Sequence, residues 1–274
     1  MINLPFKNSI LSSLLKQRIK QINIVNSSPL ITQEKIFKDL IKKALNTKFG
    51  NDHSFSKIKT YDEYKKNVPV RKYEEIFPYI DQMRMGKKNI LWPGKTTFFA
   101  KSSGTTNAKS KYIPLSNDTL YDCHFKGGKD MLAIYLNNNP ESRVFNGKGI
   151  MLGGSKTTND KIIEGDLSAI LLDNFPFWVN SHRIPDIETA LSDNWNKKLE
   201  KITEQSINQN ITNLTGVPSW MLILLSKIIK KTGANNIDDI WPNLELYMHG
   251  GVNFNPYKNQ FSRLIKNNNM NYLE

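Results

Sequence analysis

From Pro93-Gly94 onward the sequence alternates short β-rich runs with helix-periodic segments, and this alternation restricts the fold more than any other feature. The β-rich runs are Thr96–Ala100, Tyr112–Pro114, Lys148–Leu152, Ile211–Leu214 and Leu244–Met248, the last closed by Gly250-Gly251. Between them, Ser116 can cap a helix reaching Leu136, Ile187–Gln209 reads as one long amphipathic helix, and Pro218–Lys231 as a helix opened by proline. Parallel strands cannot be joined by a tight turn and need a crossover, usually helical. The pattern therefore predicts an α/β fold with a mixed, partly parallel sheet.

Before Pro93 the chain reads differently. Ile10, Leu14, Leu15, Ile19 and Ile22 recur at helical spacing within Ser9–Val25. Thr32 can cap a second helix that turns Ile36, Phe37, Leu40, Ile41 and Leu45 inward and is ended by Gly50. Tyr61–Tyr64 and Tyr73–Met85 suggest shorter helices, the second stopped by Gly86. No repeat and no Pro, Gly or Ser-rich linker divides the 274 residues, so residues 1–94 read as a helical lead-in and 95–274 as the α/β core of one continuous domain.

Composition excludes several classes. A hydrophobic fraction of 39% with five Trp excludes a disordered chain, and a single cysteine, Cys123, excludes an internal disulfide framework or a Cys-based zinc site. Lys7, Lys16, Arg18 and Lys20 interrupt the N-terminus, which has no secretory signal pattern. The most apolar stretch, Met221–Leu225, is far shorter than the roughly 20 residues a membrane span needs. These readings predict a soluble cytoplasmic monomer without a membrane partner. The net charge of +13 could mark a nucleic-acid surface, but the lysines are scattered and Asn and Ile are abundant too, as codon bias would produce. No nucleic-acid partner is expected.

The segment Lys101-Ser102-Ser103-Gly104-Thr105-Thr106-Asn107-Ala108-Lys109-Ser110-Lys111 carries the chemistry. It follows a β-rich run and gathers hydroxyl side chains around one glycine. Such a loop can turn backbone N–H groups inward as an anion nest, with hydroxyls donating to phosphate oxygens and lysine adding charge. Each charge-assisted bond contributes about 1.5–3 kcal/mol. It is not a Walker A loop, which needs Gly-x-x-x-x-Gly-Lys-Ser/Thr. Spacing alone leaves a self-satisfied Ser/Thr-rich turn equally open.

The flanking motifs add context. Ser-Ser-Gly-Thr-Thr with Lys111 resembles the first nucleotide motif of the acyl-adenylate-forming enzymes. Val68-Pro69-Val70-Arg71-Lys72-Tyr73-Glu74-Glu75-Ile76, Pro78-Tyr79-Ile80 and Asn89-Ile90-Leu91-Trp92-Pro93-Gly94 precede it. Gly165-Asp166-Leu167-Ser168, Gly216-Val217-Pro218-Ser219-Trp220 and His249-Gly250-Gly251-Val252-Asn253-Phe254 follow in order. Together they resemble the auxin-responsive Gretchen Hagen family of acyl-acid amido synthetases in its bacterial form, over nearly the whole chain.

The resemblance implies the large N-terminal domain of the luciferase-like adenylating fold, incomplete, and a ligase that uses ATP and Mg2+ to join a small carboxylic acid to an amine or amino acid. It implies that Ser102, Ser103, Gly104, Thr105, Thr106 and Lys111 face the ATP phosphates, with Lys111 catalytic. Gly250, Gly251 and Val252 would lie along the adenine and acyl group, and Val217, Trp220 and Met221 would line the acyl pocket. Trp220, Leu224 and Ile228 at helical spacing equally fit ordinary core. The family usually has glycine at the position of Ala108. His249 and Asp166 read as structural residues, and His53, His124 and His182 lack metal-ligand spacing.

Met270–Glu274 reads as a strand that stops without a cap, so a fragment is expected. Relatives continue with a Tyr-x-x-Ser-Glu segment whose glutamate serves magnesium, then a C-terminal domain. The fragment alone is expected to be inactive. A non-catalytic nucleotide- or acyl-binding protein that retains the loop is the competing reading.

Overall fold

Among the described residues nine strands form in chain order: β1 (Phe98–Lys101), β2 (Tyr112–Leu115), β3 (Lys148–Leu152), β4 (Lys156–Asn159), β5 (Ile162–Gly165), β6 (Arg183–Ile184), β7 (Ile211–Gly216), β8 (Leu246–His249) and β9 (Asn271–Leu273). The computed structural model describes residues 7–102, 110–160 and 162–274. Its strands make two sheets, ordered β2-β1-β5-β4 and β6-β3-β7-β8-β9. The chain divides into two compact units, one of residues 1–16, 133–156 and 167–274 and the other of residues 17–132 and 157–166.

The first unit is built on the five-stranded sheet, in which every neighbouring pair is parallel. Helices Trp195–Ser206, Pro218–Thr232 and Lys258–Leu264 bury their apolar stripes with it. Ile150, Leu214 and Tyr247 from three adjacent strands join Ile202, Leu224, Ile228 and Phe261 from the helices in one fully buried cluster. Each such aliphatic side chain contributes roughly 1.5–3 kcal/mol relative to exposure. A Cβ on Gly149 would stand 2.3 Å from Asn213 Oδ1, so glycine leaves room for the Asn213 side chain across the β3–β7 pair. The helix Pro218–Thr232 starts with proline in its first turn and stops at Gly233, whose φ of 72° suits a left-handed cap.

The long helix expected over Ile187–Gln209 is two helices, Ile187–Leu191 and Trp195–Ser206. The hydrophobic period runs on through the break, but polar side chains cut the backbone there. Asp186 accepts from the Thr189 N–H at 2.9 Å and Asn194 from the Lys197 N–H at 3.0 Å, so each piece has its own N-cap.

In the second unit β1 pairs antiparallel with β2 and parallel with β5. Its helices include Pro29–Ala44, Lys48–Asp52, Tyr61–Asn67 and Tyr73–Arg84. Thr60 and Glu63 form a reciprocal capping box ahead of Tyr61, and Gly86 stops the last helix region at φ 82°.

Three expectations are corrected here. The second helix begins at Pro29 rather than at a Thr32 cap, with proline in its first turn. Only Phe37, Ile41, Ala44 and Leu45 on it meet the small Phe55–Ile58 cluster, whereas Ile36 is 53% and Leu40 48% exposed. That stripe follows i, i+4, i+7 spacing and is narrower than the apolar content suggested. Gly50 does not end this helix but lies in the next one, where a Cβ would stand 2.2 Å from the Ala44 carbonyl oxygen. On the N-terminal helix Lys7–Ser27, Ile10 and Leu14 of the helix-periodic set are likewise exposed. Ser116 caps as expected, accepting from the Thr119 N–H at 3.1 Å, and the helix behind it widens into π turns over Thr119–Phe125 before continuing as Lys126–Asn138.

Candidate functional site

The hydroxyl-rich segment leaves the end of β1 and returns at the start of β2. Its mouth is closed by two bonds between the same residues: the Ser102 N–H donates to the Lys111 carbonyl at 2.9 Å, and the Lys111 N–H donates to Ser102 Oγ at 3.0 Å. Ser103, Gly104, Thr105 and Thr106, with Ala108, lie outside the described residues.

Aromatic and charged side chains support this mouth. The Tyr73 hydroxyl accepts from the Tyr112 N–H at 2.7 Å and donates to the Tyr112 carbonyl at 3.2 Å, satisfying both main-chain groups of the first β2 residue. Lys111 Nζ stands 5.3 Å from the centre of the Tyr73 ring. The Arg84 guanidinium lies 3.8 Å over the Tyr112 ring and reaches Glu164 Oε1 through Nε at 2.9 Å and Nη2 at 2.8 Å. Lys101 Nζ is 3.5 Å from Glu164 Oε2. Glu164 is buried on β5, where it pairs in register with Phe99. A carboxylate in that position requires compensating cations, which Arg84 and Lys101 supply.

The other named residues belong to the first unit, at the carboxyl edge of its parallel sheet. Order β6-β3-β7-β8-β9 sends the chain outward to β6 after β3 and in the opposite direction after β7, so the carboxyl ends of β3 and β7 flank a topological switch point. Ligands of open α/β sheets gather at such points. Glycines follow or end three adjacent strands there: Gly153-Gly154 after β3, Gly216 closing β7, and Gly250-Gly251 after β8.

Each turn is held differently. The Lys198 ammonium, almost fully buried, donates to the carbonyls of Gly153 at 3.1 Å and Gly154 at 2.9 Å, while the Gly154 N–H donates to Ser168 Oγ at 3.0 Å. The Tyr247 hydroxyl donates to the Gly216 carbonyl at 2.9 Å, and burial raises its pKa. Gly251 adopts φ 85°, and a Cβ there would meet Val217 at 3.5 Å, whereas one on Gly250 would meet nothing within 4 Å. The structure thus brings Gly251 against Val217. Val252 is exposed, Trp220 is partly buried against Trp195, and Met221 is fully buried in the core.

Two polar atoms at this edge, Thr215 Oγ1 and His249 Nδ1, are buried without a hydrogen-bond partner among the described residues. Burial lowers the His249 pKa, and its ring stacks on Phe254 with centroids 4.3 Å apart. His53 is engaged by the Phe49 carbonyl and Arg71. Among the described residues no group of three or more His, Cys, Asp or Glu side chains could hold a metal ion, and no helix is long and apolar enough to cross a membrane.

Sequence reasoning missed Tyr73, Arg84, Glu164 and Lys198 as site-supporting residues. Tyr73 and Ser168 sit in motifs noted above, but nothing local marks Glu164 or Lys198 as buried charges, because their partners are distant in sequence.

Comparison with known proteins places this geometry. Residues 18–270 match the model of the GH3 family N-terminal domain. The 4-substituted benzoates-glutamate ligase GH3.12 of Arabidopsis thaliana is 31% identical over 135 residues, 42% of this chain and 23% of that protein. The solved structure of the AtGH3.15 acyl acid amido synthetase in complex with 2,4-DB shares the fold with a TM-score of 0.67 at 14% identity, covering 94% of this chain and 54% of that one. A second GH3.15 acyl acid amido synthetase structure gives a TM-score of 0.62 at 14% identity, covering 96% and 55%. The chain thus spans about half the length of these solved relatives, and its match to the curated one spans under a quarter of that protein. With its family model matched over nearly all its length, this chain belongs to the GH3 family, to that family's N-terminal domain.

Proposed function

We propose that this chain is the N-terminal, acid-activating part of an ATP-dependent acyl-acid amido synthetase. The supporting observation is a family match that runs through a hydroxyl-rich segment whose mouth is pinned by Ser102 and Lys111. A carboxylate is a poor electrophile, since its charge repels nucleophiles and oxide is a poor leaving group. In the proposed reaction an acid oxygen attacks the α-phosphorus of ATP, the bond to the pyrophosphate oxygen breaks, and acyl-AMP forms. The amino group of an amino acid then attacks the acyl carbon, AMP leaves, and the amine proton passes to solvent.

The first step brings anions together, so fixed donors must offset their repulsion. Ser102, Ser103, Gly104, Thr105 and Thr106 take that role through N–H and hydroxyl groups, with Lys111 as the cation. Gly250 and Gly251 leave room for main chain to approach a flat base, Val252 flanks it, and Val217 and Trp220 form an acyl wall backed by Met221. The open space at Gly250 suits that role. A magnesium ion carried by ATP would supply further compensating charge there. The reading carries the expectation of a cytoplasmic monomer acting on small acids and amines.

Calorimetric titration with ATP, followed by pyrophosphate exchange over a panel of carboxylic acids, tests it. Weak ATP binding that Gly104→Val and Lys111→Met abolish, without exchange by this chain alone, is the expected result. ATP affinity untouched by either substitution would remove the basis of the assignment, and exchange by the chain alone would overturn the expected inactivity.

A further inference from the structure

We propose that Lys101, only loosely paired with Glu164, is a second polyphosphate-binding cation at the mouth of the β1–β2 hairpin. The inference rests on the reading of that hairpin as phosphate-binding. Lys101 is the last residue of β1 and pairs in register with Tyr112, the first of β2, so it stands at the mouth together with Ser102 and Lys111.

The electrostatics of Glu164 separate Lys101 from Arg84. Arg84 makes the two short bonds, at 2.9 and 2.8 Å, and its guanidinium is fixed on the Tyr112 ring. Those distances are those of charge-assisted hydrogen bonds. Lys101 stands 3.5 Å from the other oxygen, an ion pair but not a close hydrogen bond, and its side chain is one third exposed. The arginine thus supplies most of the carboxylate's compensation, and the lysine, a compact charge on a flexible stem, can turn to another anion at small cost.

Lys111 points the same way. It stands across the same mouth and makes no ion pair among the described residues. A lysine without an ion-pair partner beside one that is loosely paired suits a ligand with several negative charges.

Calorimetric titration with inorganic tripolyphosphate, run alongside thermal unfolding, tests the proposal on the whole chain. K101M should weaken binding about fivefold or more at low salt and flatten its salt dependence, while K101R, which keeps the charge, stays within about twofold. E164Q should tighten binding while lowering the melting temperature, since it frees Lys101 from its carboxylate. Wild-type binding that K101M leaves unchanged overturns the role of Lys101 and leaves the hairpin reading intact. No wild-type binding of tripolyphosphate overturns the hairpin reading and this inference together.

Discussion

The two units of this chain are stabilised in different ways. In the unit with the five-stranded sheet, strands and helices share one continuous buried cluster that includes Ile150, Leu214, Trp241, Tyr247 and Phe261. In the other, the buried apolar clusters are small, one of Ile41, Ala44, Phe55 and Ile58 and one of Ile80, Met83, Ile90 and Phe99. That unit also leaves Leu30 and Ile31 more than 70% exposed. It relies correspondingly more on polar linkages such as Arg84–Glu164, Arg18–Asp130 and Tyr73 with the Tyr112 backbone. Where apolar burial is divided, directional bonds must fix the geometry, and the candidate phosphate hairpin is set on those bonds.

Substitutions should separate the two modes. The largest effect is expected from Trp241→Ala in the continuous core. It removes a fully buried ring whose Nε1 donates to the Ser206 carbonyl at 3.2 Å, and should cost about 3–5 kcal/mol. Urea unfolding would read this as a lower midpoint, with hydrogen-exchange protection lost across β3, β7 and β8. A midpoint shift no larger than that of a surface variant would break the contrast.

Alkaline pH should act on the same unit. Burial raises the hydroxyl pKa of Tyr135 to about 12, and burial also raises those of Tyr247 and Tyr272. A raised native pKa means that the folded state keeps protons the unfolded chain releases. Stability is therefore complete below pH 10 and falls as pH rises from about 10 towards 12. Melting temperatures measured across that window should decline, and Tyr135→Phe should shallow the decline.

In the other unit, Glu164→Gln should lose about 1.5–3 kcal/mol, because it discharges the acceptor of the Arg84 fork. Chemical denaturation of the variant checks this, and an unchanged midpoint would deny the polar linkage its role. Thr60→Ala removes the capping-box oxygen ahead of Tyr61–Asn67 and should cost about 1 kcal/mol. Its effect should be confined to exchange protection within that helix.

Much of the fold was readable residue by residue. Lys148–Leu152 forms a strand at its expected bounds, and the helix Pro218–Thr232 and strand Ile211–Gly216 exceed theirs by only a residue or two. Their signals are local: β-branched runs, a proline at a helix start, a glycine at its end. The short strands β4, β5 and β6 were not foreseen, since Lys156–Asn159 is polar and Arg183–Ile184 has two residues. The two compact units have no linker between them to be read in the sequence, because both are assembled from separated stretches.

The candidate site divides along the same line. Lys111, Ser102 and the glycines of Gly250-Gly251 could be named because contiguous motifs carry them. Arg84, Glu164 and Lys198 could not, as their partners lie 80 and about 45 residues away in sequence.

By itself, the sequence determined the alternation of strand and helix, the parallel character of the larger sheet and the hydroxyl-rich segment between β1 and β2. Each follows from periodicity or backbone preference within a few residues. Only the tertiary structure decided which apolar faces are covered, as Ile36 and Leu40 stand exposed while Ile41, the residue after Leu40, is buried. It alone set Glu164 between Arg84 and Lys101. Burial and charge compensation depend on what folds back onto a residue, and that neighbour is chosen by the whole chain rather than by the local segment.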